Sequence, residues 1–108
     1  MVGVKDDKVI DLVAHGADGA SYVLVMIEDR PWSTSPVQKH QLRQKFNLYA
    51  SYIVDGELAA TYPETVDKPV AVQLNCQSEP DGEILEIIEK ARATLSEKGV
   101  PVLVHVFG

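Results

Sequence analysis

Apolar residues recur along this chain in two rhythms, and the switches between them mark out its elements. From Leu42 the apolar positions are Phe46, Tyr49 and Ile53, spaced +4, +3 and +4, which stacks their side chains on one face of a helix. Ser33, Thr34 or Ser35 can cap its start. Pro36 suits a first helical position, because its missing N–H would have no partner there. Gly56 ends the run. A second helical rhythm spans roughly 81–98, with Ile84, Ile87, Ile88, Ala91 and Leu95 on one face. Its stop is well marked: Gly99 can take the left-handed cap, Val100 can then touch Leu95, and Pro101 forbids continuation.

The other rhythm is that of strands. Segments 8–14 (KVIDLVA), 20–28 (ASYVLVMIE), 70–76 (VAVQLNC) and 102–107 (VLVHVF) are short, rich in β-branched residues and bounded by turn formers. In the first, Ile10, Leu12 and Ala14 alternate with Val9, Asp11 and Val13. HGADG between the first two carries the glycines and the Asp-Gly pair that tight hairpins favour. Segment 57–69 predicts only a short helical turn and a loop, since Pro63 and Pro69 interrupt it. The order is ββαβαβ. Parallel crossovers are right-handed almost without exception, so two in one direction place both helices on one face. The expected fold is α+β: a four-stranded mixed sheet with an N-terminal hairpin and two helices on one face, in a single domain over residues 1–108.

Composition narrows the function classes. The chain has 108 residues with 45% hydrophobic and 24% charged content, enough to bury roughly 65% of its unfolded surface. Its one cysteine, Cys76, excludes an internal disulfide and a multi-cysteine metal cage. No apolar run approaches the roughly 20 residues of a membrane span, and MVGVKDDKVIDLV is acidic where a signal peptide would be basic. A cytoplasmic protein with no membrane partner is expected. With 16 acidic and 10 basic residues the net charge is −6, so the basic footprint of a nucleic-acid binder is missing. Lys39, Arg43 and Lys45 read as a solvated helix face.

Ligands of open α/β sheets gather beyond the carboxyl ends of parallel strands. Two loops would meet there, 29–35 and 75–79, offering a rim of Asp29, Trp32, Ser35, Asn75 and Gln77 as candidate ligand-binding residues. There is no Gly-rich phosphate cradle, so no nucleotide or other cofactor is called for. Ser33, Thr34 and Ser35 serve capping, and Trp32 serves as a staple over the helix start. Cys76 shares a strand face with Val70, Val72 and Leu74 and reads as a core residue, although a cysteine near a helix N-terminus can become nucleophilic. His15, His40 and His105 are scattered and form no metal pair. A Cys76–His105 nucleophile pair needs a favourable register, and no catalytic residue is assigned.

VIDLVA before a hairpin, a second strand ending in Asp29-Arg30-Pro31-Trp32, and QKFNLYASYIVDGELAATYPE together carry a resemblance over nearly the whole chain. They resemble a bacterial family of small single-domain proteins of unknown function. The resemblance implies a compact cytoplasmic α+β domain and no activity.

The expected function is a non-enzymatic protein-interaction or regulatory module. One form is an immunity-like neutraliser of a basic partner, since complementary fields speed association. The rival class is a small enzyme or ligand-binding protein using the rim. Self-association is expected too. The second and last strands are apolar on both faces, and Val37, Leu48 and Tyr52 form a second helical stripe. A two-fold homodimer through the open sheet face or that stripe would cover this surface, unless segment 57–69 folds over it.

Overall fold

A computed structural model describes residues 4, 10–16, 18–33 and 35–107. The elements are β1 (Leu12–His15), β2 (Tyr22–Glu28), α1 (Pro36–Val54), α2 (Glu57–Thr61), a 3-10 turn (Pro63–Thr65), β3 (Val70–Cys76), α3 (Gly82–Ser96) and β4 (Val102–Val106). The sheet order is β1-β2-β3-β4, with β1 antiparallel to β2 and the other two pairings parallel. The ββαβαβ mixed sheet is therefore as the sequence predicts, and α2 is the short helical turn expected after α1.

Register sorts the side chains. Leu24, Val72 and Val102 form one row across the sheet, and Met26, Leu74 and Val104 the next. These residues join Leu42, Phe46 and Tyr49 of α1 and Ile84, Ile88 and Leu95 of α3 in one cluster, so both long helices cover the same face. The rows Leu12–Val25–Gln73–Leu103 and Ile27–Asn75–His105 lie on the other face. Segment 57–69 does not shield them: α2 packs against α1, and its Leu58 joins the helix-side core. Leu12, Leu103 and Phe107 stay 50%, 45% and 51% exposed.

The first strand is shorter than the 8–14 expected, and residues 8 and 9 lie outside the described ones. At Asp11 the ladder changes hands. The Asp11 carboxylate accepts the Ile27 N–H at 2.9 Å, and the Val4 N–H donates to the Ile27 carbonyl at 2.7 Å. A side chain thus replaces a strand partner. The second strand starts late for a similar reason, because the Asp18 carboxylate accepts the N–H groups of Ala20 and Ser21 and holds them in the turn.

The helix ends differ from expectation in chemistry more than in place. Ser35 is the N-cap of α1 but makes no side-chain capping bond. Instead the buried Gln38 folds back, accepting the Ser33 N–H at 2.9 Å and donating to the Pro31 carbonyl at 3.1 Å. At the end of α3 the Val100 N–H reaches the Leu95 carbonyl at 3.0 Å, with Gly99 left-handed at φ +74 and Val100 in the core, as the Gly-Val-Pro signal implies.

Candidate functional site

The candidate rim is built by the turns that leave β2 and β3. Glu28 ends β2 on the helix side with its carboxylate buried. Arg30 closes over it as a fork, Nε to Oε1 at 2.8 Å and Nη2 to Oε2 at 2.7 Å, a charge-assisted bidentate pair. Two residues on, the Trp32 indole N–H donates to the Ser78 carbonyl at 2.8 Å, while the ring packs against the core. That bond stitches the loop after β2 to the loop after β3. The Gln38 latch holds the next stretch.

The five rim residues do not converge. Asp29 and Gln77 are exposed, and Ser35 is half-buried, its N–H donating to the Ser33 hydroxyl oxygen at 3.2 Å. Asn75 lies on the opposite face of the sheet from Trp32's anchor, level with Ile27 and His105. Its Oδ1 accepts from Gln73 Nε2 at 2.7 Å. Two concavities mark the surface elsewhere. One of about 260 Å³ lies between α1 and α3, floored by Phe46, Ile87, Ala91 and Leu95. The other lies between β1 and the α1–α2 corner, beside Tyr52 and Tyr62. None of the five lines either one.

Cys76 is fully buried on the helix side. Burial pushes its thiol up, the charge of Glu79 adds to this, and a contact from Trp32 works the other way. His105 cannot serve it as a base: Cys76 pairs with Val106, and His105 pairs with Asn75 on the other face. A thiol reagent should therefore modify Cys76 slowly in the native protein and fast in denaturant near neutral pH. Rapid native labelling would restore the nucleophile. Among the described residues no group of three or more His, Cys, Asp and Glu is placed to hold a metal.

The most organised polar group in the fold lies elsewhere. Lys45 and Asp11 form an ion pair at 2.6 Å with both side chains fully buried. The Tyr49 hydroxyl, also buried, donates to the Val25 carbonyl at 2.6 Å and accepts the Asp11 N–H at 2.9 Å. The solvated-face reading of Lys45 is corrected by this burial. Lys39 is mostly covered as well, paired with Glu83 at 3.0 Å; Arg43 alone of the three is exposed. A signal was available: Lys45 stands three residues after Leu42 and four before Tyr49, inside the apolar stripe, where a charge needs a buried partner. The network joins helix to sheet, and Asp11 also lines the concavity beside Tyr52 and Tyr62.

These observations define a small α+β domain whose two long helices cover one face of the sheet, while Leu12, Leu103 and Phe107 are about half exposed on the other. The chain belongs to a family of unknown function, DUF6572, whose model matches residues 2–108. No curated protein and no solved structure matches it.

Proposed function

We propose that this chain is a non-enzymatic protein-interaction module of the cytoplasm that works as a homodimer, through apolar residues its own helices leave uncovered. The observation that carries this is the bare sheet face. Leu12, Leu103 and Phe107 are about half exposed there, although the sheet has a full helical layer on its other side. Large apolar groups exposed on one sheet face favour an interface there, and a second copy in a closed two-fold arrangement is the commonest way to cover them. The described helices include none long and apolar enough to cross a membrane.

Light scattering after size exclusion at tens of micromolar protein should give twice the chain mass. Leu103→Glu should shift it to monomer with little change in folding stability, as expected of a surface substitution. Each copy carries −6, so the dimer should tighten as salt screens the repulsion. Binding to a basic protein would weaken over the same series. A monomer mass throughout removes the proposal.

A further inference from the structure

We infer that the concavity between α1 and α3 binds a small amphipathic carboxylate, an apolar body carrying one acid group. The site shares no residue with the sheet face of the homodimer reading. α1 and α3 each return from one parallel strand to the next, so they lie side by side and point the same way. Residues 43, 46, 47 and 50 of α1 and 87, 90, 91 and 94 of α3 share the spacing +3, +1, +3, which lines one flank of a helix. Where these flanks meet, Ala50 and Ala91 supply only methyl groups. A hollow of about 260 Å³ is left, with Phe46, Ile87 and Leu95 buried beneath it. That is room for about nine non-hydrogen atoms, at the roughly 30 Å³ a water molecule takes in the liquid.

The charged groups around it are placed unevenly. Lys39 and Glu83 pair at 3.0 Å and set one level across the two helices. Counting from that level at 1.5 Å per residue, Glu86 lies about 4.5 Å along, Arg43 about 6 Å and Lys90 about 10.5 Å. Phe46 and Ala91 are near the level of Lys90, and Ala50 and Leu95 lie farther on. Arg43 and Lys90 therefore stand on opposite walls, about 4.5 Å apart along the axis, and both are exposed. Among the described residues neither makes an ion pair, whereas Arg30, Lys39, Lys45 and Arg92 each hold a carboxylate. Glu86 lines the same end and is paired with neither of them.

A carboxylate is the group these two cations lack. The Arg43 guanidinium offers a planar fork that takes both carboxylate oxygens, and the Lys90 ammonium adds a point charge from the other wall. With the acid group held there, the apolar body runs over Phe46 and Ala91 toward Ala50 and Leu95, away from Glu83 and Glu86. An apolar floor with a few polar groups at one end is the usual make-up of a small-ligand site. An organic cation fits less well, although the chain carries −6. Glu83 is already held by Lys39, and a cation at Glu86 would lie beside Arg43.

Octanoate tests the site, with octanol and octylammonium as probes of the same chain length. In an amide-detected NMR titration octanoate should saturate and shift the amides of residues 46–50 and 87–95 most. Octanol and octylammonium should each bind about tenfold more weakly or worse, the worth of a hydrogen bond to a charged group. Arg43→Gln combined with Lys90→Gln should weaken octanoate by a similar factor and leave octanol unchanged. Glu86→Gln should tighten octanoate, because it removes the one acid that competes for Arg43. Ala50→Leu fills the floor and should abolish binding of octanoate and octanol alike, with unchanged helical circular dichroism showing that the variant is folded. Octanol or octylammonium binding as tightly as octanoate overturns the site. So do shifts centred away from the two helices, or no saturation at millimolar octanoate.

Discussion

Lys45→Ala should be among the most destabilising single substitutions in this protein, at about 3–5 kcal/mol, the cost of breaking a buried ion pair from one side. The ammonium and the Asp11 carboxylate are 2.6 Å apart and neither side chain touches solvent. Removing Lys45 takes this short ion pair away from a carboxylate that stays in the interior. Asp11 cannot simply swing out, because its other oxygen holds the Ile27 N–H where β1 leaves the ladder. Lys45→Met keeps the length and apolar stem and should still be costly, since the charge on Asp11 remains. Adding Asp11→Asn to Lys45→Met should recover a large part of the loss, because an amide oxygen can still accept from Ile27 without a counter-charge. Urea unfolding of the four proteins of this cycle isolates the coupling. Lys45→Ala within about 0.5 kcal/mol of the parent, the range of an ordinary surface substitution, would show that the pair is not buried in solution.

The second large effect is alkaline unfolding. Burial pushes the Tyr49 phenol well above its ordinary value, with the Asp11 charge adding to the rise and the Asp11 N–H opposing it. Cys76 is raised for the same first reason. A group whose folded value lies above its unfolded one supports folding fully below the unfolded value and loses that support as pH rises. The loss should begin near the ordinary thiol value, about 8.5, and steepen above the phenol's, about 10. Each group contributes up to about 1.4 kcal/mol per pH unit in its window. Tyr49→Phe should lower stability at neutral pH by about 1–3 kcal/mol, since it leaves the Val25 carbonyl without its buried donor. It should also flatten the decline above pH 10. Equal slopes for parent and variant in urea titrations from pH 8 to 11.5 would rule out the phenol as the cause.

The Cys76 and rim readings show how far a sequence reaches. Period-two alternation was enough to place Cys76 with Val72 and Leu74, because a side chain's face follows from position once the strand is known. The rim was assembled from loop proximity alone, and proximity does not set direction. Asn75 follows the strand alternation to the open face, while Trp32 turns inward to reach Ser78. The capping hydroxyls illustrate the same limit. Serines before Pro36 mark where α1 begins, but Ser35 makes no capping bond and Gln38, from within the helix, ties down Ser33 and Pro31 of the lead-in instead, a choice that depends on side-chain competition in three dimensions.

By itself the sequence determined the order of elements, their periodic apolar faces, the hairpin, the end of α3 at Gly99 and the placing of both long helices on one side of the sheet. All of these follow from local backbone preference and the fixed hand of crossovers. Tertiary structure alone decided that Lys45 is interior, that a carboxylate replaces a strand at Ile27, that segment 57–69 joins the helical layer, and that Arg92 reaches from α3 to the Val102 carbonyl of β4. Each of these joins residues far apart in the chain, so it depends on how the layers meet in space, which no local rhythm of apolar and polar positions encodes.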